Sequence, residues 1–233
     1  MITSSLHTFL EQLPLYMRRS RLSQGRSALI AIDVQPDFMP GGPLACADGN
    51  AIVSPLNALL ALSLFDYVVA TQDWHPSHHV SFASQHEGRQ PFDTASLYGH
   101  QQTLWPDHCV MNTPGAALHH EVDWQCIDIT LRKGTDPSID AYSAFRHNLN
   151  QQGERPSTGL TGWLRDLGVT DVYLCGLARD VCVLWSAQDA ADAGFNACLL
   201  WPLTRPVSYT TNEATLETLG KAGVTVLGHD IGQ

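Results

Sequence analysis

The chain has little positive charge, no long apolar run and few cysteines, and each shortage excludes a class of protein. It carries 13 lysines and arginines against 23 acidic residues, for a formal charge of −10. It therefore lacks the basic surface that binds nucleic acid or anionic membranes. No stretch reaches the ~20 apolar residues of a membrane span. Six cysteines in 233 residues do not suggest a disulfide-stapled secreted scaffold. With no signal-peptide pattern at the start, we expect a cytoplasmic protein that binds a small molecule.

The chain does have the composition of a globular domain, with 44% hydrophobic and 15% charged residues. Its strand-like and helix-like segments alternate, as in an α/β domain. Short apolar runs predict six strands, at residues 28–33, 67–72, 127–132, 172–176, 197–201 and 224–227. Helical segments fall between them, at residues 52–62, 160–167, 181–193 and 213–222. Thr210 and Glu213 have the spacing of a capping box before the last helix. This alternation predicts a three-layer α/β/α sandwich around a six-stranded, mainly parallel sheet.

Two stretches depart from this alternation. Residues 1–26 read as an N-terminal arm before a domain that spans residues 27–233. The arm has apolar residues at helical spacing, namely Leu6, Phe9, Leu10, Leu13 and Tyr16. Pro14 should interrupt any long helix there, so we expect a short helix packed on the domain or on a neighbouring subunit, with an organelle transit peptide as the alternative. Residues 76–113 show neither the helical nor the strand spacing of apolar residues. This absence predicts an insertion that forms a lid or pocket wall.

Three reactive side chains follow three of the predicted strands. Asp33 closes the first strand, Lys133 closes the third, and Cys182 lies in the first turn of the helix after the fourth. They can meet because the carboxyl ends of parallel strands share one edge of a sheet. Asp33 could take the thiol proton, and Lys133 with the helix N-terminus should lower the thiol pKa by about two units. This is the layout of a cysteine amidase, whose oxyanion the backbone N–H groups of residues 176–182 could hold.

Each of these residues also has an ordinary interpretation. Cys182 is equally explained as a buried helix cysteine, Lys133 as a surface residue at a strand end, and Asp33 as a structural turn carboxylate.

A second group of residues suits a metal ion. Asp73 and His75 follow the second strand, and His108 is the best third ligand. One carboxylate and two imidazoles suit Zn, Fe or Mn and leave room for a substrate atom. His79 is either a fourth ligand or a partner that orients one. Since the chain has 11 histidines, a solvated His-rich loop is the alternative.

Five motifs, in this order, carry a resemblance to a known family. They are Asp33-Val34-Gln35-Pro36-Asp37-Phe38, Asp73-Trp74-His75-Pro76 with His79-Val80-Ser81-Phe82, Trp105-Pro106-Asp107-His108-Cys109, Lys133-Gly134, and Gly176-Leu177-Ala178-Arg179-Asp180-Val181-Cys182-Val183. Together they resemble the nicotinamidases, also called pyrazinamidases, of the isochorismatase-like cysteine hydrolase superfamily. The resemblance spans roughly residues 28–230 and leaves the arm outside.

The resemblance implies a role for each matching residue. It makes Cys182 the nucleophile, Asp33 the general base and Lys133 their electrostatic partner. It implies one divalent metal ion, with zinc as first choice and iron or manganese as alternatives. The metal ligands would be Asp73, His75 and His108.

The resemblance also implies the walls of the substrate pocket. Phe38, Trp105, Tyr142 and Leu177 match substrate-binding positions. The Leu177–Ala178 peptide bond matches a cis bond that directs the N–H groups of Ala178 and Cys182 at the oxyanion. Arg179 departs from the family pattern, and it could hold an adjacent acid or contact another subunit.

The reaction implied is hydrolysis of nicotinamide to nicotinic acid and ammonia through a thioester, a step of NAD salvage, with pyrazinamide as a second substrate. The expected partner is this small molecule, not a nucleic acid or a membrane, and a homo-oligomer remains open. Two alternatives stand beside it. One is a related cysteine amidase acting on a carbamoyl or ureido compound. The other is a non-catalytic metal-binding or redox protein.

Overall fold

A parallel sheet of six strands forms the centre of the molecule. The computed structural model describes residues 4–20 and 25–229. Within them the strands are β1 (Arg26–Ile32), β2 (Tyr67–Asp73), β3 (Thr94–Leu97), β4 (His100–Thr103), β5 (Ile129–Lys133), β6 (Val169–Leu177), β7 (Asn196–Arg205) and β8 (Thr225–Leu227). The central sheet has the order β5-β2-β1-β6-β7-β8, and all its pairs are parallel. The predicted α/β sandwich is confirmed, with a sheet that is wholly parallel.

Helices cover both faces of this sheet. They are α1 (Ser4–Ser20), α2 (Val53–Ala61), α3 (Leu160–Asp166), α4 (Leu184–Asp192) and α5 (Asn212–Lys221). Side chains of β1 alternate between two apolar clusters, because successive residues of a strand point to opposite faces. Leu29 and Ala31 join α1 and α2 in one cluster. Ala28, Ile30 and Ile32 join α3, α4 and α5 in the other. Both faces are buried, which explains the continuous apolar runs.

The order of the strands creates a crevice between β1 and β6. The chain winds outward from β1 through β2 to β5, and then crosses back to β6 before winding out to β8. Such a switch point is where open α/β sheets bind ligands. Gly176 lies beside β1 there, with a φ of 108°. A Cβ at Gly176 would lie 2.0 Å from the carbonyl oxygen of Ile32, so the close pairing of β6 with β1 requires glycine.

The insertion contains a feature that the sequence did not predict. Strands β3 and β4 form a separate antiparallel hairpin. Tyr98 and Gly99 make its two-residue turn, both with positive φ, as a type I′ turn requires. The two strands are short and mostly polar, so no apolar alternation marks them.

Helix α1 corrects one prediction about the arm. It runs through Pro14 without a break, where an interruption was expected. Its buried side chains, Leu6, Phe9, Leu10, Leu13 and Met17, belong to the first apolar cluster. This burial on both sides of Pro14 offsets the ~3 kcal/mol that proline costs inside a helix. Residues 1–3 and 21–24 of the arm lie outside the described residues.

The start of α5 contradicts the capping box predicted from the sequence. The side chain of Ser208 accepts a hydrogen bond from the backbone N–H of Thr210, at the head of a short 3-10 turn (Tyr209–Thr211) that leads into the helix. Thr211 is the N-cap of α5 itself, and its side chain makes no capping hydrogen bond. The expected capping box of Thr210 and Glu213 was wrong, because the extra turn shifts the helix start.

Among the described residues, no helix combines the length and the apolar character that a membrane crossing requires.

Candidate active site

Lys133, the last residue of β5, lies at the centre of a buried polar cluster. Its side chain is fully buried, and its Nζ lies 2.8 Å from Oδ2 of Asp33. The same Nζ donates to Oδ1 of Asp73, lies 3.4 Å from Sγ of Cys182 and donates to the carbonyl oxygen of Ala141 at 3.0 Å. Burial disfavours its charge, but Asp33 and Asp73 outweigh that cost and hold the pKa of Lys133 well above its usual range. The two carboxylates therefore favour the charged form of Lys133.

Asp33 directly follows β1 and is fully buried. Its backbone has a φ of 48°, which turns the chain sharply away from the sheet. Thr71 of β2 donates its hydroxyl to Oδ1 of Asp33 at 2.6 Å, so the carboxylate is held from two sides. Burial raises the pKa of Asp33 to about 6; Lys133 opposes the rise and Asp73 adds to it. A carboxylate with this pKa can both accept and return a proton near neutral pH.

Cys182 lies in a π-helical turn (Arg179–Val183) that connects β6 to α4. The Leu177–Ala178 peptide bond is cis, as the resemblance predicted. The carbonyl oxygen of Ala178 accepts hydrogen bonds from the N–H groups of Val181 and Val183. The second of these spans five residues, a pattern that often occurs at functional sites.

The electrostatics of the thiol differ from expectation. Burial raises the pKa of Cys182 well above its ordinary value; Lys133 lowers it, and the carboxylates of Asp73 and Asp33 raise it further. The expected lowering of this pKa was wrong in direction, because burial and two carboxylates outweigh the one ammonium. This direction favours the neutral thiol, which then needs a base to take its proton at the moment of attack.

The three predicted metal ligands meet beside this cluster. Nε2 of His75 and Nε2 of His108 lie 3.7 and 3.6 Å from Oδ2 of Asp73. Ligand atoms of all three lie within 4.8 Å of one another. Nδ1 of His75 contacts the carbonyl oxygen of Gly134 at 3.0 Å, and Nδ1 of His108 contacts that of Pro106 at 2.8 Å. A carbonyl can only accept, so each Nδ1 carries the proton and each Nε2 presents a lone pair. This donor set fits a divalent metal ion.

His79 packs against the ring of His75, with ring centroids 4.3 Å apart. Its Nε2 lies 3.2 Å from the carbonyl oxygen of Ile139, and its Nδ1 lies 2.7 Å from Oγ of Ser81. Both ring nitrogens therefore have hydrogen-bond partners. This geometry suits a residue that positions His75 better than one with a free lone pair.

A cleft of about 320 Å³, including its open mouth, connects the thiol with the metal-type ligands. Phe38, Trp105 and Tyr142 line it, as predicted, and Ala178, Cys182, Asp73 and His108 complete its floor. Leu177 does not line this cleft. It is fully buried in the first apolar cluster, because the strand alternation directs its side chain into the core. The cleft thus has aromatic walls and a reactive floor.

Two residues that position the site were not predicted. Gln35 accepts a hydrogen bond from the backbone N–H of Asp73 and donates to the carbonyl oxygen of Asp73, which ties the loop after β1 to the end of β2. Thr71 orients Asp33, as described above. Both are fully buried polar residues. A polar residue within an apolar strand, such as Thr71, was the available sequence signal.

Arg179 neither holds an acid nor lies on the surface. It donates to Thr204 and to Oδ1 of Asn212, and its guanidinium lies 3.8 Å from the ring centroid of Trp201. Its neighbour Asp180 instead accepts from the backbone of Val207 and the hydroxyl of Thr211. These contacts fix the cysteine-bearing turn against β7 and α5.

Comparison with known proteins agrees with this geometry. The sequence profile of the Isochorismatase domain matches residues 27–230. The chain belongs to the isochorismatase family. A nicotinamidase from Acinetobacter baylyi is 45% identical to it over 185 residues, which cover 79% of this chain and 84% of that protein.

Solved structures of the isochorismatase family resemble the chain as well. A nicotinamidase/pyrazinamidase from Acinetobacter baumanii superposes with a TM-score of 0.81 at 39% identity, and the match covers 88% of this chain and 97% of the other. A pyrazinamidase from Pyrococcus horikoshii in complex with zinc has a TM-score of 0.67 at 32% identity, covering 87% and 98%. The family resemblance seen in the sequence is confirmed.

Proposed function

We propose that this protein is a metal-dependent cysteine amidohydrolase that converts nicotinamide to nicotinic acid and ammonia, and that it also accepts pyrazinamide. The observation that carries the proposal is the position of Lys133 Nζ, within contact distance of Asp33, Asp73 and Cys182. The ammonium group of Lys133 thus lies beside the candidate base Asp33, the candidate nucleophile Cys182 and the candidate metal ligand Asp73. The relatives named nicotinamidase support the choice of substrate.

The first half of the reaction is acylation of the thiol. Asp33 takes the proton of Cys182, and the thiolate attacks the carboxamide carbon. Lys133 stabilises the thiolate that this transfer creates, since its Nζ lies 3.4 Å from the sulfur. The backbone N–H groups of Ala178 and Cys182 hold the developing oxyanion. The tetrahedral adduct then expels ammonia, which receives the proton from Asp33, and a thioester remains on Cys182.

The second half is hydrolysis of that thioester. Asp33 removes a proton from a water molecule, which attacks the thioester carbon and releases nicotinic acid. The thiolate of Cys182 recovers its proton from Asp33. A base with a pKa of about 6 suits both directions of proton transfer near neutral pH.

Asp73, His75 and His108 would hold the metal ion. A divalent cation there supplies a Lewis-acidic site for the lone pair of the substrate's ring nitrogen. Phe38 and Trp105 confine the ring between aromatic walls and exclude water. Zinc is our first choice, supported by the zinc complex of the Pyrococcus relative.

The direct test is release of ammonia from nicotinamide by protein loaded in turn with zinc, iron and manganese. We expect turnover with at least one of these metals and no turnover after chelation. Carbamoyl and ureido compounds serve as comparison substrates. Hydrolysis of one of these, with nicotinamide left intact under every metal, would contradict the proposal.

A further inference from the structure

Gln102, on β4 of the hairpin, contacts two residues in the wall of the candidate active site. Its side chain is buried, whereas its neighbour Gln101 is exposed. Nε2 of Gln102 lies 2.8 Å from the hydroxyl of Tyr142, 2.9 Å from Oδ2 of Asp140 and 2.8 Å from the carbonyl oxygen of Thr103. Two amide hydrogens serve these three acceptors, so one hydrogen is shared. Tyr142 and Asp140 both line the cleft.

The surroundings of the Tyr142 hydroxyl determine its role in hydrogen bonding. Besides Gln102, its oxygen lies 3.1 Å from Nε1 of Trp105. The amide nitrogen and the indole nitrogen are both donors without an acceptor lone pair. The hydroxyl oxygen therefore accepts from both sides, and its own hydrogen must point away from both. No side chain or backbone group in the described part of the chain accepts that hydrogen.

Tyr142 keeps this hydrogen under ordinary conditions. Burial raises its pKa well above the usual value; Asp140 and Cys182 raise it further, while the hydrogen bonds from Trp105 and Gln102 lower it only in part. At neutral pH the cleft therefore contains a phenol that can only donate to a ligand.

We propose that Gln102 is a positioning residue for the proposed reaction, which orients the Tyr142 hydroxyl as a hydrogen-bond donor to the bound substrate. The inference rests on the proposed function and deepens it. The acceptor is the carboxamide oxygen, because the ring nitrogen faces the metal ligands. The Tyr142 hydroxyl, held by Gln102 and Trp105, then adds a third donor beside the N–H groups of Ala178 and Cys182. A ligand that presents only C–H groups there leaves a buried donor unpaired, which is costly.

Four variants test this role. Gln102→Leu removes the donor and keeps the approximate volume. Gln102→Glu keeps the shape but adds a carboxylate, which accepts the Tyr142 hydrogen and repels Asp140. Tyr142→Phe removes the hydroxyl. Gln101→Leu is the matched control, because it makes the same chemical change at the exposed neighbouring position of the same strand.

We expect Gln102→Leu to raise KM for nicotinamide about tenfold, the value of one hydrogen bond, with kcat changed less than about threefold. Gln102→Glu should raise KM further, although it is closer in shape to glutamine. In the Tyr142→Phe background, adding Gln102→Leu should have no further effect, because both act through the same hydroxyl. Gln101→Leu should match the wild type.

Two results would overturn the proposal. One is a KM for Gln102→Leu equal to that of Gln101→Leu. The other is multiplication of the Gln102→Leu and Tyr142→Phe effects, which would indicate independent, merely structural roles. Calorimetric binding of nicotinate to each folded variant gives the same comparison without turnover. If the wild-type protein does not hydrolyse nicotinamide, the proposed function is wrong. If it does, and Gln102→Leu changes neither KM nor nicotinate binding, only the role of Gln102 is wrong.

Discussion

At the scale of single residues, the site carries an uncompensated charge. Two buried carboxylates, Asp33 and Asp73, face one ammonium, Lys133. Burial disfavours ionisation of Asp73, yet Lys133 and His75 outweigh that cost and hold its pKa well below the usual range. With the imidazoles of His75 and His108 neutral, as their lone pairs require for metal binding, one negative charge remains in a low-dielectric environment, where it is costly unless it is paired. A divalent cation beside Asp73 would offset this charge.

The thiol of Cys182 gives the first prediction. Cys182→Ala should abolish release of ammonia from nicotinamide, by at least about 10³-fold, because no other group can form the thioester. Its thermal unfolding should remain cooperative, since the change removes one atom. Cys126→Ala is the matched control, because Cys126 is an exposed free thiol. Retained turnover in Cys182→Ala would remove the nucleophile assignment.

The environment of Asp33 gives a second prediction, the pH dependence. Asp33 must be ionised to act as base, and burial raises its pKa from 3.8 to about 6. We expect kcat/KM to fall about tenfold per pH unit below pH ~6, since protonated Asp33 cannot accept the thiol proton. The profile is measured under conditions where circular dichroism shows the protein folded. A rate that stays constant down to pH 4.5 would exclude Asp33 as the base.

At the level of elements, the order of the central strands was predicted well, whereas the hairpin within the insertion was not. The apolar runs that predicted β1 and β6 are continuous because helices cover both faces of the sheet. The hairpin β3–β4 lacks any apolar period, since it forms a sheet of its own and most of its residues are exposed or half-buried. Gln102 lies on that hairpin, so its contact with Tyr142 had no sequence signal.

Helix α1 gives a prediction about stability. Leu13→Ala should destabilise the protein by about 2–5 kcal/mol, because Leu13 is only 1% exposed within the first apolar cluster. Leu15→Ala is the control on the same helix. Leu15 is 51% exposed, so its loss should change stability by less than about 0.5 kcal/mol. Urea unfolding of both variants makes the comparison, and equal midpoints would mean that α1 does not stay packed on the sheet.

At the scale of the whole molecule, the site lies where the winding of the sheet reverses. Asp33 follows β1 and Cys182 follows β6, which are neighbours only because the chain crosses back between β5 and β6. Asp73 and Lys133 end two other neighbouring strands, in register with each other. His108 lies in the insertion, at residues 76–113. A ligand bound here connects parts of the chain that are far apart in sequence.

This arrangement predicts that metal binding stabilises the fold. Removing the metal with a chelator should abolish activity and lower the unfolding temperature. Restoring it at 100 times its Kd should add about 2.7 kcal/mol of stability. His108→Ala should lose this response, whereas His120→Ala, at an exposed histidine, should keep it. The measurement is a thermal shift titration with zinc, iron and manganese, and an unchanged response in His108→Ala would contradict its role as ligand.

The alternation of strands and helices, and hence the parallel sheet, follows from the sequence, because apolar periodicity is a local property of the chain. The sequence also marked Asp33, Lys133 and Cys182 as residues at strand ends. The folded structure was needed to show that Lys133 contacts Asp73 as well as Asp33, that burial raises the pKa of the Cys182 thiol, and that Gln102 contacts Tyr142. These depend on burial and on distances between segments up to 149 positions apart, from Asp33 to Cys182. Local patterns carry no information about either quantity.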